Sequence, residues 1–204
     1  MKRYIYLISP QKIRGAKFYK ELDNVLKTNK VKYFQLRLKK TSISNLLKIS
    51  KKIKKIVKKN KVKFLINDNP LIAKKINADG CHLGQKDLDL ISGRKILGKN
   101  KIIGATCHNS KKLALKAKKN GANYLAFGSF FKSSTKKTAF KANLEILRWA
   151  KKKINMPTVA IGGINSSNYK KILTNSADFI ACSGYIWKNK KLDPVSAINK
   201  FKLK

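Results

Sequence analysis

The stretch VKFLINDNPLIAKKINADGCHLGQKD, residues 62 to 87, decides the fold prediction. It holds two short apolar runs, residues 62–67 and 78–83, separated by a segment that starts with the helix-initiating pair Asn69-Pro70. One carboxylate follows each run, Asp68 after the first and Asp87 after the second. If both runs are parallel strands, their carboxyl ends lie at the same rim, and the two carboxylates are expected to converge there.

The same alternation of short apolar runs and longer amphipathic segments continues along the whole chain. The predicted strands are residues 4–8, 33–37, 62–67, 80–83, 101–106, 124–128, 158–162 and 179–183. The predicted helices are approximately residues 17–28, 44–59, 71–76, 88–97, 110–120, 144–153, 167–174 and 195–201. Eight strand–helix units predict an α/β fold, a single (β/α)8 TIM barrel that spans residues 1–204 as one domain. A doubly wound open sheet remains the alternative, since a strand count does not prove closure.

Composition narrows the class of protein. The chain has 204 residues, of which 43% are hydrophobic, and lysine or another polar residue interrupts every apolar run before it reaches membrane-spanning length. The apolar part of the first eight residues is too short for a signal peptide. Three cysteines, an odd number, favour a reducing, cytoplasmic compartment. The pairs Cys81-His82 and Cys107-His108 are poor zinc sites because adjacent strand residues face opposite sides of a sheet.

The net charge of +40, from 49 basic and 9 acidic residues, raises the alternative of a nucleic-acid-binding module. Only five of the basic residues are arginine, the residue that base recognition favours, and the lysines are spread over the entire chain. In residues 46–59 the lysines occupy the arc opposite an apolar helical stripe, as a solvated face would. The charge therefore predicts weak non-specific attraction to polyanions and no specific nucleic-acid partner.

In a barrel of this type the chemistry lies at the carboxyl ends of the strands, and the polar clusters of the sequence fall there. Asp68 and Asp87 suit a Mg2+ ion that completes its shell with water and phosphate oxygens. Asp68 is not needed as a helix cap, because Asn69 supplies one. Asp87 has a competing interpretation as the cap of the helix predicted from Leu88.

The remaining clusters suit phosphorylated ligands. Gln35, Arg37 and Lys39 alternate, so all three could face the rim, with the cations on a diphosphate and the amide on a heterocycle. The loops Gly162-Gly163 and Ser183-Gly184 suit a phosphate bound through backbone N–H groups, although the glycine pair also suits a tight turn. Residues 129–138 suit either a mobile oxyanion-binding lid or a flexible surface loop. His108 is interpreted as a satisfied strand-end histidine rather than a substrate ligand.

Taken in order, five strings resemble the thiamine-phosphate synthase family across nearly the whole chain. They are QLRLK at 35–39, IND at 66–68, DGCHLGQKD at 79–87, Thr135-Lys136, and AIGGI at 160–164. The resemblance implies condensation of a hydroxymethylpyrimidine diphosphate with a thiazole phosphate, with release of diphosphate, in the presence of Mg2+. It implies that Asp68 and Asp87 hold the metal and that Arg37, Lys39 and Lys136 stabilise the departing diphosphate.

The resemblance also implies the substrate contacts. The pyrimidine diphosphate would contact Gln35, Arg37, Lys39, Asn67, Thr106 and Lys136. The thiazole phosphate would contact Ser133, Ser134, Thr135, Gly163, Ser183 and Gly184. Several positions depart from the family pattern: Thr106 stands where serine is usual, Leu38 where glutamate is common, and Ser183-Gly184 where an apolar-Ser pair is usual. In the lid, Ser129, Lys132 and Ser133 replace the usual Pro, Pro and Thr.

A related barrel that isomerises a thiazole without transferring a pyrimidine is the alternative enzyme. Its reaction needs no diphosphate clamp, so the two carboxylates and Lys136 argue against it. The chain is expected to act on small phosphorylated molecules, away from membranes, and to be capable of self-association as related barrels are.

Overall fold

The computed structural model describes residues 3–13, 15–132 and 140–203. Its strands are β1 Tyr4–Ile8, β2 Val31–Leu36, β3 Lys63–Asn67, β4 Gly80–Leu83, β5 Ile102–His108, β6 Tyr124–Gly128, β7 Thr158–Ile161 and β8 Phe179–Cys182. Its helices are α1 Gly15–Leu26, α2 Ile43–Lys59, α3 Pro70–Lys75, α4 Leu90–Leu97, α5 Lys111–Lys119, α6 Glu145–Lys153, α7 Tyr169–Thr174, α8 Gly184–Trp187 and α9 Pro194–Asn199.

The sheet is a closed barrel in which the eight strands follow one another in sequence order and run parallel. Closure is made by β1, which pairs with β2 on one side and with β8 on the other, in a register that sets Tyr4 opposite Phe179 and Leu7 opposite Cys182. The predicted (β/α)8 barrel is therefore confirmed, and the open-sheet alternative is wrong because an open sheet leaves two unpaired edges.

Apolar side chains form two layers. The larger layer fills the space between the strands and the surrounding helices, and includes Leu22, Ile53 and Phe64. The smaller layer lies inside the barrel and is built on Tyr6, Leu65, Tyr124 and other inward-facing residues. Alternation of side chains along each strand produces this division, since successive residues face the helices and the barrel axis in turn.

At the N-terminal end of the barrel, two carboxylates, one half-buried and one buried, link neighbouring strands. Asp79 accepts a hydrogen bond from the backbone N–H of Phe64 at 2.8 Å, and Asp178 accepts one from Thr158 at 2.9 Å. Each carboxylate thus ties the start of one strand to its neighbour. These contacts stabilise the end of the barrel that is opposite to the predicted site.

Three local predictions differ from the structure. Strand β2 ends at Leu36, so the alternation expected through Lys39 does not continue as a strand. Helix α4 begins at Leu90 with Asp89 as its N-cap, which leaves Asp87 outside the helix. Ser183-Gly184 was expected to be a loop, but Gly184 starts the short helix α8. None of the helices in the described ranges combines the length and the apolar character that crossing a bilayer requires.

Candidate active site at the barrel mouth

Asp68 and Asp87 meet at the carboxyl ends of β3 and β4. The carboxyl group of Asp87 lies within hydrogen-bonding reach of that of Asp68. The pKa of Asp68 is raised above its ordinary value, first by burial and then by the hydrogen bond and the negative charge of Asp87, with Lys39 acting in the opposite direction. Two carboxylates held this close repel each other when both are ionised, and a cation between them would relieve that repulsion.

The backbone explains why these side chains point into the mouth. Asp68 has a φ of 65° and its N–H donates to the carbonyl of His82 at 2.8 Å, so the chain turns sharply as it leaves β3. The cap of α3 is Asn69, whose Oδ1 accepts from the N–H of Ile72 at 2.9 Å. Asp68 is therefore not used as a cap, and its carboxylate is available to a ligand.

Asp87 is fixed by the turn that follows β4. Its Oδ2 accepts a hydrogen bond from the N–H of Gly84 at 2.7 Å. A Cβ on residue 84 would stand 3.0 Å from that same oxygen, so glycine permits the close approach. The cap of α4 is Asp89, which accepts from the N–H groups of Ile91 and Ser92. The capping interpretation of Asp87 is wrong, because its carboxylate faces Gly84 and Asp68.

The donor set suits a hard cation. Across residues 3–13, 15–132 and 140–203, no group of three or more His, Cys, Asp and Glu side chains is arranged to hold a metal. The mouth thus offers two carboxylates, and a bound ion would take its other ligands from water and substrate. Magnesium keeps several waters and binds through one or two carboxylates and phosphate oxygens, so the residues present fit Mg2+.

The predicted cations and amides surround this pair. The Nζ of Lys39 lies 3.4 Å from Oδ2 of Asp68. Arg37 is half-buried, and its backbone N–H donates to Oγ of Ser9 at 3.0 Å. Gln35 lies below the rim, 2% exposed, and its Nε2 donates to Oδ1 of Asn67 at 3.2 Å. Gln35 is therefore an interior residue, because β2 places it one pleat deeper than the two cations.

Beneath the rim lies a chain of hydrogen bonds that the sequence analysis missed. Thr106 Oγ1 is 2.9 Å from Nε2 of His82, and Nδ1 of His82 is 2.8 Å from the hydroxyl of Tyr124. That hydroxyl is 2.7 Å from the hydroxyl of Tyr6. Burial lowers the pKa of His82 to about 4, so its imidazole is neutral. The signal that could have found these residues is the inward face of the strands, on which polar side chains are costly unless paired.

A cavity of about 30 Å3 adjoins this chain inside the barrel, with room for little more than a water molecule. It is lined by Tyr6, Ile8, Gln35, His82, Thr106, Tyr124, Ala126, Val159, Ile161 and Ala181. Since the interior is filled, most of a ligand of the size of a pyrimidine diphosphate has to lie above it, at the loops, with the uppermost lining residues as its floor.

The predicted thiazole-phosphate side is described in part. The predicted contacts at Ser133, Ser134, Thr135 and Lys136 fall outside the described residues. Gly163 has a φ of 61°, and a Cβ there would stand 2.3 Å from the carbonyl oxygen of Lys132. The loop that follows β6 therefore packs directly on the glycine pair. Ser183 donates from Oγ to the carbonyl of Ser9 at 3.0 Å, next to Gly184.

His108 and the cysteines lie apart from this geometry. His108 ends β5, and its ring stacks on Phe140 with centroids 4.0 Å apart. Cys81, Cys107 and Cys182 are free thiols in buried positions, and burial raises the pKa of Cys81 and Cys107 to about 12. Protonated thiols of this kind are weak nucleophiles and weak metal ligands.

Comparison with known proteins agrees with this geometry. The sequence pattern of the family described as thiamine monophosphate synthase matches residues 5–186. A thiamine-phosphate synthase of Pelagibacter ubique is 61% identical over 98% of this chain and 97% of its own length. One from Erythrobacter litoralis is 38% identical over 95% and 92%. The solved thiamine phosphate pyrophosphorylase of Pyrococcus furiosus superposes with a TM-score of 0.84 at 27% identity, over 97% of this chain and 92% of that one.

Proposed function

The chain belongs to the thiamine monophosphate synthase family, and from that premise we propose the reaction and the roles of its residues. The substrates are 4-amino-2-methyl-5-(diphosphomethyl)pyrimidine and thiazole phosphate, and the products are thiamine phosphate and diphosphate. The reaction joins a thiazole nitrogen to a pyrimidine methylene carbon as the carbon–oxygen bond to diphosphate breaks.

One observation carries the assignment of the site. Asp68 and Asp87 are in contact at the carboxyl ends of adjacent strands, and the pKa of Asp68 is raised by that contact and by burial. A pair of carboxylates placed against each other suits a divalent cation. When bound there, Mg2+ would supply positive charge to the leaving diphosphate.

The residues of the chain supply the remaining electrostatic stabilisation. Lys39 forms an ion pair with Asp68, and its side chain is 58% exposed. An exposed pair of this kind contributes little to stability, so Lys39 can exchange the carboxylate for a phosphate oxygen at small cost. Arg37 offers a second cation on the same loop, and Lys136 would offer a third.

The chemistry follows from positioning rather than from a general base. Cations around the diphosphate favour early rupture of the carbon–oxygen bond, and the aminopyrimidine ring delocalises the methylene cation that results. The thiazole nitrogen then captures this cation without losing a proton. Gln35, Asn67 and Thr106 would hold the pyrimidine in line for that attack, which is the entropic part of the catalysis.

The thiazole phosphate would bind on the opposite side of the mouth, at Gly163, Ser183 and Gly184, together with Ser133, Ser134 and Thr135. Gly163 supports this placement because its backbone, without a side chain, adjoins the loop after β6. Phosphate bound by backbone N–H groups at the loops after the seventh and eighth strands is common in barrels of this type.

The test is one incubation of the purified protein with both substrates and Mg2+, read by mass spectrometry for thiamine phosphate. We expect product with Mg2+ and none after chelation. Asp89→Asn serves as the control for substitutions of Asp68 or Asp87. It removes a nearby carboxylate but keeps a capping side chain on α4, and product should still form. Conversion of the thiazole to an isomer without consumption of the pyrimidine would assign the chain to the tautomerase reaction instead.

The same proposal places the chain among small phosphorylated molecules in a reducing compartment such as the cytoplasm. The three buried free thiols support that compartment.

A further inference from the structure

The buried chain of hydrogen bonds beneath Thr106 fixes the direction in which its hydrogens point. The contacts are 2.7 Å between the phenols of Tyr6 and Tyr124, 2.8 Å from Tyr124 to Nδ1 of His82, and 2.9 Å from Nε2 of His82 to Oγ1 of Thr106. Tyr6 and Tyr124 are each 2% exposed. Their hydroxyl hydrogens therefore need acceptors, either protein groups or a water in the adjoining cavity.

Two phenol hydrogens have to be placed, and only one can lie between the two phenols. In the part of the chain that the structure describes, the hydroxyl of Tyr6 hydrogen bonds with Tyr124 alone, and that of Tyr124 bonds with Tyr6 and His82. If Tyr124 donated to Tyr6, the Tyr6 hydrogen would have no acceptor among the described residues. The protein groups alone therefore favour donation from Tyr6 to Tyr124 and from Tyr124 to Nδ1 of His82.

The direction of hydrogen-bond donation determines which nitrogen of the His82 imidazole carries the proton. An Nδ1 that accepts a hydrogen bond carries no proton, so His82 is neutral and holds its hydrogen on Nε2. A doubly protonated ring is excluded by the same count, because it would donate at both nitrogens and return the Tyr124 hydrogen to Tyr6. Nε2–H then donates to Oγ1 of Thr106, and the hydroxyl hydrogen of Thr106 has no acceptor among the residues that the structure describes.

We propose that Tyr124 and His82 are positioning residues that make Thr106 a hydrogen-bond donor toward the pyrimidine diphosphate. The inference rests on the proposed function in one respect, that Thr106 faces this substrate. A donor at this point matches a ring nitrogen or a phosphate oxygen. The usual family residue at this position is serine, which has the same hydroxyl. The buried hydrogen bonds determine that this hydroxyl acts as a donor.

The packing around Tyr124 shows that its ring is built into the barrel. A Cβ on residue 104 would stand 1.8 Å from Cζ of Tyr124, so β5 carries glycine where this ring crosses the interior. The rings of Tyr124 and His82 lie 5.6 Å apart with an interplanar angle of 19°. This close packing holds the ring of Tyr124 against that of His82.

The first test reads the tautomer directly and needs no substrate. The protein has two histidines, so 15N-labelled histidine gives two imidazole spin systems, and His108→Gln identifies that of His82. We expect the hydrogen on Nε2 and none on Nδ1, both in the wild-type protein and in Tyr6→Phe, where Tyr124 still donates to Nδ1. A proton on Nδ1 of the wild-type protein, as a buried water accepting from Tyr6 would permit, overturns the proposal.

The second test compares two variants that each remove one buried hydroxyl from the same interior. Tyr124→Phe removes the donor to Nδ1, so His82 can adopt either tautomer, and KM for the pyrimidine diphosphate should rise about tenfold, the effect of one lost hydrogen bond. Tyr6→Phe should change this KM less than about twofold. Adding Thr106→Val should cost less in the Tyr124→Phe background than alone. Equal effects of the two Phe variants would show a packing role and contradict the proposal.

The two tests separate this inference from the proposed reaction. The protein could show the expected tautomer and yet make no thiamine phosphate. That result would contradict the proposed reaction and the role of Thr106 toward its substrate, but not the direction of the hydrogen bonds. Circular dichroism checks that each variant is folded, and the wild-type tautomer remains decisive if Tyr124→Phe does not fold.

Discussion

The two ends of the barrel use carboxylates in opposite ways. At the N-terminal end, Asp79 and Asp178 accept hydrogen bonds from backbone N–H groups of neighbouring strands, and each forms an ion pair with a lysine, at 3.1 and 3.4 Å. At the mouth, Asp68 and Asp87 lie against each other. Among the described residues, Lys39 is the only cation in an ion pair with either of them.

The difference separates stability from ligand binding. In a chain with 49 basic and 9 acidic residues, Asp79 and Asp178 at the N-terminal end each pair with one lysine and with backbone N–H groups. At the mouth, two of the few acidic residues repel each other in the folded state, which a protein tolerates where a ligand relieves the strain. Substitutions of the carboxylates at the N-terminal end are therefore expected to lower the stability of the fold. Substitutions of those at the mouth are expected to lower enzymatic activity.

The largest effect that would sharpen this comparison is expected from Asp68→Asn. Removal of one carboxylate should lower turnover about a thousandfold, the equivalent of about 4 kcal/mol of transition-state stabilisation. The free energy of unfolding without metal should not fall, since the raised pKa means that ionised Asp68 disfavours the fold as pH rises through that pKa. Steady-state kinetics and urea unfolding measure the two quantities; near-normal turnover would contradict the metal role.

Asp178→Ala should give the converse result. Asp178 is 9% exposed and accepts from both the N–H and the hydroxyl of Thr158, so truncation leaves buried donors unpaired and should cost about 2–4 kcal/mol of unfolding free energy. Turnover of the folded fraction should stay within about twofold. Lys151→Met is the matched control: it removes only the ion pair, leaves both hydrogen bonds from Thr158 in place, and should cost less than Asp178→Ala.

Metal addition should stabilise the protein through the mouth alone. At a Mg2+ concentration ten times the dissociation constant, the gain in unfolding free energy should be about 1.4 kcal/mol. Differential scanning fluorimetry at constant ionic strength should show a higher Tm for the wild-type protein and for Lys151→Met. An equal rise in Asp68→Asn would locate the metal elsewhere and break the comparison.

The smallest expected effect concerns Asp23, a carboxylate on α1 outside the barrel. Its hydrogen bond with Asn60, followed by that with Lys27, lowers the pKa of Asp23 to about 2 from 3.8. A lowered carboxylate pKa contributes stability that is present above pH 3.8 and is lost as pH falls toward 2. The difference in Tm between the wild-type protein and Asp23→Asn should shrink over that interval. A difference that grows on acidification would show that Asp23 is not held as the anion.

Much of the fold could be predicted because it is encoded locally. The apolar runs gave eight strands at their approximate positions, and Asn69-Pro70 marked the start of α3 within one residue. The cap of α4 was missed because Asp87 and Asp89 both precede an apolar segment, and the choice between them depends on where the turn after β4 ends. Helix α8 was missed because four residues contain no helical period.

The sequence alone determined the alternation of strands and helices and the placement of one aspartate after each of two strands, since period and turn signals act over a few residues. Only the tertiary structure decided that β1 meets β8, that the two aspartates touch, and that Tyr6 reaches Tyr124 across 118 positions of the chain. Those contacts depend on the closure of the barrel, which brings together inward side chains of distant strands and leaves no local pattern by which to read their partners.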